Sequence, residues 1–258
     1  MYYFFGDRSR WLCLLPKGAR WAEIGVFRGD NAARLMEICE PAELHLIDPW
    51  HFALDFDWHN PPAWSPAFGE AARLVRQLSE WAGVPPGDHV NHHFERLYQQ
   101  VAARFDGDAR VTIHRAASRD AVTRFPDRYF DFVYVDGAHD YESVLADLHL
   151  YGPKLADHGI LLGDDFCEHG AAENAQYGVI AAVAKFLRRT GPRTMILNNE
   201  FYSFFALLRS EAALTGQLLQ KMVDSDLYFL EINDALMLNY HHKLIRRSDG
   251  GIRGVPSF

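Results

Sequence analysis

Short apolar runs alternate with amphipathic stretches along most of the chain, and this alternation predicts an α/β fold. The first run, 20–24, leads through a turn that contains Gly25 and Gly29 into a helix, for which Asp30 is placed as the N-cap. Residues 44–48 form the second predicted strand, which ends in an acid. This order of strand, glycine turn, helix and strand is typical of a βαβ unit.

Three more runs repeat the pattern farther along the chain. Residues 111–115, 131–136 and 159–163 are predicted strands, and each of them precedes a predicted helix. Residues 193–208 then predict a closing antiparallel hairpin. We therefore expect a Rossmann-like, doubly wound and mostly parallel sheet of seven strands that ends in this hairpin.

Three segments complete the single predicted domain, 1–258, around its core at 20–208. Residues 1–19 are an aromatic-rich lead-in that packs on the core or closes over it as a lid. Residues 50–105 are an aromatic-rich insertion with two predicted helices, which serves either as a lid or acceptor-binding wall or as a purely structural subdomain. Residues 209–258 are expected to form a helical C-terminal extension before a Ser-Asp-Gly-Gly tail.

The composition limits the classes of function. Of the 258 residues 48% are hydrophobic, which is ample for a core, and the net charge of −8 argues against nucleic-acid binding. No apolar run approaches the length of a membrane span, and the start lacks the pattern of a secretory signal. The three cysteines fit neither a disulfide framework nor a zinc site, so we expect reduced thiols in a cytoplasmic protein without a membrane partner.

The turn after the first strand predicts a cofactor without a pyrophosphate. It lacks one glycine of the dinucleotide-binding fingerprint, and Glu23 just before the turn would repel a pyrophosphate. An acid there suits S-adenosylmethionine better, since this cofactor carries an ammonium and a sulfonium group. Asp48 is expected to accept hydrogen bonds from the ribose hydroxyls, and Ser118 to meet the adenine edge. Gly25 and Gly29 shape the turn, although ordinary turn chemistry also explains them.

Acidic residues follow two of the predicted strands, Asp136 after one and Asp164-Asp165 after the other. If these strands are parallel neighbours, the three carboxylates meet at the edge where open α/β sheets bind ligands. Two carboxylates about 4 Å apart repel by roughly 4 kcal/mol at an effective dielectric of about 20. Either one is protonated, or they turn away, or a metal lies between them; oxygen ligands favour Mg²⁺ over other divalent cations. His139 is close enough in sequence to bind metal, cap a helix or act as a general base.

Taken together, these motifs resemble a class I S-adenosylmethionine-dependent methyltransferase. More narrowly, they resemble the metal-dependent O-methyltransferases of the macrocin, mycinose and aminocoumarin-sugar group. The resemblance implies that Asp136, Asp164 and Asp165 bind Mg²⁺ and that His139 is the base. The motifs that carry it are residues 23–29, 47–50, 135–141 and 163–166.

We therefore expect an Mg²⁺-assisted O-methyltransferase that acts on a hydroxyl of a small-molecule acceptor, such as a sugar or a natural product. A metal-dependent hydrolase would use the same carboxylates, but it would have no reason for a ribose-binding Asp48. A nicotinamide-dependent oxidoreductase would share the sheet but not the turn next to Glu23. The identity of the acceptor and the formation of a homo-oligomer stay open.

Overall fold

The computed structural model of the protein describes residues 1–51, 79–80, 82–85, 88–167, 177–191 and 193–258. Of the two helices expected in the insertion, the one at 91–105 is present as Val90–Arg104. The other, expected at 71–81, lies almost entirely outside the described residues. The role of the insertion as a lid or acceptor wall therefore stays a prediction.

The described residues contain a large sheet of nine strands and a separate two-stranded sheet. In chain order the strands are β1 Tyr2–Phe4, β2 Arg20–Ile24, β3 Glu43–Asp48, β4 Val111–Arg115, β5 Phe130–Val135, β6 Leu155–Gly163, β7 Arg193–Asn198, β8 Phe205–Arg209, β9 Phe229–Glu231, β10 His241–Arg246 and β11 Ile252–Ser257.

The order across the large sheet is β4-β3-β2-β5-β6-β8-β7-β1-β9. The first five strands are parallel to one another, whereas β8 runs antiparallel to both β6 and β7. The central strands are apolar almost throughout because both faces of the sheet are covered, and five of the six residues of β5 are buried. The predicted doubly wound, mostly parallel sheet with a closing hairpin at 193–208 is confirmed.

Helices cover the sheet on both faces. On one face α5 and α6 contribute Leu148 and Val183 to the core, and on the other α2, α3 and α7 contribute Leu35, Val101 and Leu218. None of the helices in the described residues is both long enough and apolar enough to cross a bilayer. The helices are α1 Ser9–Leu12, α2 Asp30–Cys39, α3 Val90–Arg104, α4 Ser118–Ala121, α5 Tyr141–Tyr151, α6 Val179–Thr190 and α7 Ala213–Asp224.

The chain changes direction across the sheet between β2 and β5. From β2 it adds β3 and β4 on one side, and it later returns to add β5 and β6 on the other. The connections that leave β2 and β5 therefore diverge, and a crevice opens at the carboxyl ends of these two strands. Asp48 ends a strand at this crevice and Asp136, Asp164 and Asp165 follow strands there, while Glu23 lies one residue before the end of β2.

The sheet is wider than the seven strands predicted. Residues 2–4, which we assigned to a lead-in, form β1 and pair in parallel with β7, so that Tyr2 lies opposite Ile196. β9 then pairs antiparallel with β1 at the outer edge. Both strands pair with segments that are distant in sequence. Each strand is only three residues long, which is too short for an alternating pattern to predict it.

The prediction of a helical extension after Arg209 is correct for α7 and wrong for the rest. A short strand, the 3₁₀ turn Asp234–Asn239 and the β10–β11 hairpin follow α7. In the hairpin turn Arg247 N donates to Gly251 O at 2.7 Å, and Gly250 has a φ of +85°. The five-residue loop 247–251 joins the two strands, and Gly250 supplies the left-handed conformation in it.

Two histidines on adjacent strands are packed face to face away from the crevice. His45 Nδ1 and His114 Nε2 are 3.0 Å apart, and Arg124 Nη1 lies 3.2 Å from His114 Nδ1. Burial together with the charges of His45 and Arg124 lowers the pKa of His114 from 6.5 to about 4. His114 is therefore neutral in the folded protein at neutral pH.

This neutral histidine makes the fold sensitive to acid. The unfolded chain takes up a proton at His114 near pH 6.5 and the folded chain only near pH 4, so stability is complete above pH 6.5 and falls as the pH drops through this window. We expect His114→Gln to lose less stability than the wild type between pH 6.5 and pH 4.5 in urea denaturation. His92→Gln, at an exposed histidine of α3, is the control and should follow the wild-type profile. Parallel profiles for wild type and His114→Gln would contradict the prediction.

Candidate functional site

The centre of the crevice is a close contact between the turn after β2 and the end of β5. Gly25 has a φ of +83°, and a Cβ placed on it would lie 2.1 Å from the main-chain oxygen of Asp136. Asp136 N donates to Ile24 O at 2.8 Å, and Gly25 N donates to Ile47 O at 2.9 Å. Only glycine fits this position, and the ends of β2, β3 and β5 are tied together around it.

Asp48, at the end of β3, holds the turn in place. Its Oδ2 accepts from the main-chain N–H groups of Val26 and Phe27, both at 2.9 Å, and its Oδ1 accepts from Trp50 N at 2.6 Å. Burial raises the pKa of Asp48, and these three hydrogen bonds oppose the increase. Since a carboxylate has about four lone-pair sites, one remains for a ligand.

A cavity of about 740 Å³ opens beside this turn. Gly25 and Asp48 lie on one side of it, and Ser118 and Asp147 on the other. Ser118 Oγ donates to Asp147 Oδ1 at 2.5 Å, so the hydroxyl proton of Ser118 is already engaged. The volume falls within the range of roughly 300–1,000 Å³ that small-molecule and cofactor sites occupy.

Glu23 is a fully buried acid on β2. Only 1% of it is exposed, and Asn31 Nδ2 donates to its Oε1 at 3.2 Å. Glu23 Oε2 and Asn31 Oδ1 are both buried without a hydrogen-bond partner in the described residues. Burial raises the pKa of Glu23 well above its ordinary value, and the charges of Asp136 and Asp48 add to the effect against the Asn31 hydrogen bond. Two polar atoms without a partner in the described residues therefore lie close together here.

A second cavity, of about 370 Å³, contains the acidic group. His139 Nε2 lies 2.9 Å from Asp165 Oδ2 and 3.5 Å from Asp136 Oδ1. One ligand atom from each of these three residues lies within 4.8 Å of the others. Both cavities are lined by Gly25, Phe27 and Asp136, so they share the wall that the contact at Gly25 fixes.

The two carboxylates determine the protonation of His139. Burial alone would lower its pKa, but the hydrogen bonds and charges of Asp136 and Asp165 outweigh burial and raise the pKa to about 10. The imidazole therefore carries a positive charge at neutral pH and compensates the two acids. Asp165 has a φ of +57°, a left-handed conformation that brings its side chain toward His139.

Asp164 is placed differently from the other two acids. Its carboxylate forms an ion pair with Arg8, whose guanidinium also donates to Tyr134 Oη at 3.1 Å and lies 3.3 Å from Glu200 Oε2. The predicted set of three metal ligands is therefore not assembled as a whole, because Asp164 is shared with Arg8. The role of Asp164 as a ligand stays a prediction.

Gly29 serves the fold rather than either cavity. It is the N-cap of α2 with a φ of +74°, and a Cβ on it would lie 3.2 Å from the Val101 side chain. It lines neither of the two cavities.

Sequence reasoning did not find Arg8, Asn31 or Asp147. Arg8 had no local signal, since its partners are more than a hundred residues away. Asp147 did have a local signal, because this acid occupies a position of the predicted helix where the periodicity places apolar residues.

Comparison with protein families identifies the chain. Residues 22–166, more than half of its length, match a family described as a methyltransferase domain. The chain belongs to this methyltransferase family. The match begins in β2 and ends just after Asp165, so it contains both the turn at Gly25 and the acidic group. The predicted resemblance to methyltransferases is confirmed at the level of the family, whereas the narrower resemblance to sugar O-methyltransferases stays a prediction.

The uncharacterised protein y4gI of Sinorhizobium fredii is 28% identical to this methyltransferase over 120 residues. The match covers 45% of this chain and 13% of that protein, so this chain spans about an eighth of its relative.

Solved structures with a similar arrangement include several enzymes. The O-methyltransferase TomG of Streptomyces achromogenes is 18% identical with a TM-score of 0.44, and the match covers 78% of both chains. Spermidine synthase of Thermotoga maritima is 14% identical with a TM-score of 0.46, over 88% of this chain and 66% of that one. An rRNA methylase of Streptococcus thermophilus is 9% identical with a TM-score of 0.47, over 78% of this chain and 93% of that one.

The close contact at Gly25 predicts that the methyl group of an alanine at this position strongly lowers the stability of the fold. Gly25→Ala forces the end of β5 away from the turn, and we expect a loss of about 3 kcal/mol or more in the free energy of unfolding. Gly107→Ala is the matched control, since Gly107 has a similar φ of +77° but nothing within 4 Å of its added Cβ, and it should lose only about 1–2 kcal/mol. Equal losses in urea denaturation would show that conformation alone, and not the contact, requires glycine at position 25.

Proposed function

We propose that this methyltransferase transfers the methyl group of S-adenosylmethionine to a hydroxyl of a small-molecule acceptor. The observation that carries the proposal is the pair of orphan acceptors at Glu23 Oε2 and Asn31 Oδ1. The cofactor carries an ammonium group with three N–H donors, and a buried acid with an adjacent amide oxygen is a complementary partner for it.

The larger cavity suits the adenosine part of the cofactor. Its volume of about 740 Å³ accommodates a nucleoside, and Asp48 retains one lone-pair site for a ribose hydroxyl. The path from this cavity to Glu23 passes Gly25, where the absence of a side chain leaves the main chain open to the ligand. A pyrophosphate would instead meet the carboxylate of Glu23, which disfavours a nicotinamide dinucleotide.

The acidic group fits a divalent cation next to the methyl donor. Asp136, Asp165 and His139 offer two carboxylate oxygens and one imidazole nitrogen within 4.8 Å of one another. The two carboxylates suit Mg²⁺ or Mn²⁺ as ligands, and His139 Nε2 is then left to accept a proton rather than to bind the metal. When bound, the cation would lower the pKa of an acceptor hydroxyl. Asp164 is a weaker candidate ligand because Arg8 already neutralises it.

His139 is the proposed base for the acceptor proton. The hydrogen bonds and charges of Asp136 and Asp165 raise its pKa to about 10. A divalent cation held by Asp136 and Asp165 would lower this pKa, and the neutral imidazole would then be able to accept a proton.

In the proposed reaction the acceptor oxygen attacks the methyl carbon of the sulfonium. The new O–C bond forms as the C–S bond breaks, and the electron pair of that bond stays on sulfur. The hydroxyl proton passes to His139 Nε2, and the products are a methyl ether and S-adenosylhomocysteine. Because the methyl donor is already activated, the residues of the site act mainly by positioning the two reactants.

The assignment of Glu23 predicts a selective loss of affinity. Burial favours the neutral carboxyl of Glu23, but a bound ammonium would stabilise its carboxylate. Glu23→Gln keeps the shape of the side chain and removes this ion pair, so we expect the Kd of S-adenosylhomocysteine to rise roughly 10- to 100-fold. The Kd of 5′-methylthioadenosine, which lacks the amino-acid part, should not change. Isothermal titration calorimetry measures both values, with and without Mg²⁺.

Glu37→Gln, at an exposed acid of α2, is the matched control and should bind both ligands as the wild type does. Equal losses for both ligands in Glu23→Gln would assign Glu23 to the fold instead of the ammonium. If the wild type binds neither ligand in either condition, the cofactor assignment fails and a metal-dependent hydrolase becomes the better candidate.

The assignment of His139 predicts a loss of turnover without a loss of cofactor. We expect His139→Gln to lower the kcat of methyl transfer roughly 10²- to 10⁴-fold, since a general base contributes that much. The Kd of S-adenosylhomocysteine should stay at the wild-type value. Formation of S-adenosylhomocysteine over a panel of sugars, phenols and alcohols measures turnover, and His158→Gln, at an exposed histidine paired with Asp131, is the control. Unchanged turnover would remove the base assignment.

A further inference from the structure

Two arginines lie opposite each other on β7 and β8. Arg193 begins β7 and Arg209 ends β8, and the two residues are direct partners in the antiparallel register. Side chains of such partners lie on the same face of the sheet with Cβ atoms roughly 4.5–5.5 Å apart, and like charges in this arrangement destabilise the pair. The pairing of two arginines is therefore unfavourable unless a negative charge lies close to them.

Arg193 is held in this position without an acid of its own. Its guanidinium lies over the ring of Phe186, with Cζ 5.4 Å from the ring centroid, and its Nε donates to Thr190 Oγ1 at 3.4 Å. Burial and, after it, the charge of Arg209 lower the pKa of Arg193 to about 10. Arg193 therefore still carries its charge at neutral pH, and no acid in the part of the chain that the structure describes forms an ion pair with it.

Asp157, near the start of β6, compensates only part of the positive charge. Its Oδ1 lies 3.8 Å from Arg209 Nη1, and its Oδ2 lies 3.4 Å from Arg128 Nη1. Arg128, Arg193 and Arg209 thus form an arginine cluster around a single carboxylate. Two positive charges stay uncompensated among these four residues.

Two nitrogens of the arginine cluster are also buried without a hydrogen-bond partner. They are Arg193 Nη1 and Arg209 Nε, to which the described residues supply no acceptor. A charged donor that is buried without an acceptor is costly, and folded proteins satisfy most such groups. The two donors and the excess positive charge both suit an anion with several acceptor oxygens.

The arginine cluster lies at the end of the sheet opposite the crevice. Arg193 begins β7, Asp157 lies near the start of β6 and Arg128 precedes β5, whereas the crevice is at the carboxyl ends of the parallel strands. Neither of the two cavities is lined by a residue of the cluster. An anion bound here is therefore separate from the cofactor and the acceptor.

We propose that the arginine cluster binds an oxyanion of the phosphate class, either as inorganic phosphate or as the phosphoryl group of a small metabolite. The planar fork of a guanidinium matches two phosphate oxygens at once. A phosphate monoester carries about −1.5 to −2 charges at pH 7, which balances the two uncompensated positive charges. A carboxylate supplies a single negative charge and balances only half of them.

Three small anions test the proposal on the wild-type protein. Isothermal titration calorimetry with inorganic phosphate, glycerol 3-phosphate and acetate, at an ionic strength held constant with NaCl, separates binding from general screening. We expect the Kd of the tighter-binding phosphate compound to be roughly 10-fold or more below that of acetate. A lower Kd for glycerol 3-phosphate identifies a phosphorylated metabolite as the ligand, and a lower Kd for inorganic phosphate identifies the free ion. Absence of binding, or equal Kd values for acetate and both phosphate compounds, would overturn the proposal.

Arg193→Gln tests whether the anion binds at the cluster. The variant removes one charge and one guanidinium fork, so the Kd of inorganic phosphate should rise roughly 10-fold or more. Arg193→Lys keeps the charge without the fork and should have an intermediate Kd. Arg110→Gln is the matched control, since it changes the net charge equally at an exposed arginine beside β4, the opposite edge strand of the large sheet, and it should keep the wild-type Kd.

The pattern across the variants decides between a site and a general effect of charge. A Kd that is unchanged in Arg193→Gln would assign the anion to another part of the protein and overturn the proposal. An equal loss in Arg193→Gln and Arg110→Gln would overturn it as well, because net charge alone would then explain the binding. If Arg193→Gln does not fold, Arg209→Gln replaces it with the same expectation, since the Arg209 side chain is 41% exposed. If neither variant folds, the comparison of the phosphate compounds with acetate on the wild type decides.

Discussion

The contact between Gly25 and the main-chain oxygen of Asp136 is the constraint on which the site depends. It brings the turn after β2 against the end of β5, closer than any side chain at position 25 would allow. The two cavities meet at this point and share Asp136 as a wall. In the proposed function the cofactor would span both cavities past Gly25, so main-chain atoms would fix the methyl donor relative to the acidic group. Such rigidity would favour a methyl transfer, which depends on the alignment of donor and acceptor.

The same edge of the sheet gathers more negative charge than a protein interior tolerates without compensation. Each acid is compensated by a different means: main-chain N–H groups for Asp48, the guanidinium of Arg8 for Asp164, and the imidazolium of His139 for Asp136 and Asp165. Glu23 is compensated least, since a single amide donor reaches it and one of its oxygens has no partner in the described residues. Glu23 is therefore the acid at which a cationic ligand would stabilise the protein most.

Sequence patterns predicted the central sheet because buried parallel strands are apolar runs, and four of the five parallel runs here end at a glycine or an acid. They also located Glu23, Asp48, Asp136 and His139, since the carboxyl ends of neighbouring parallel strands meet at one edge. They did not predict β1 or the pairing of Arg8 with Asp164, because these contacts join distant parts of the chain through geometry that only the folded sheet supplies.

The wrong prediction of helical structure after α7 has a different cause. Residues after Asp224 contain leucines and charged residues in proportions typical of helices, yet the turn at Asp249-Gly250 makes 241–257 a hairpin. Local turn chemistry decides the structure when a segment buries little surface, since packing then contributes little to the choice. Leu244 and Ile245, both about half exposed, fit this explanation.

Arg8 connects the strands at the edge of the sheet with the candidate site at its centre. Asn198 Nδ2 donates to Gly6 O, and Gly6 N donates to Asn199 Oδ1, so the end of β7 fixes the segment that carries Arg8. With Arg8 on Asp164, His139 is the cation that directly contacts Asp136 and Asp165. In the proposed reaction His139 must release its proton to act as a base, and it can do so only when Asp136 and Asp165 gain another positive partner.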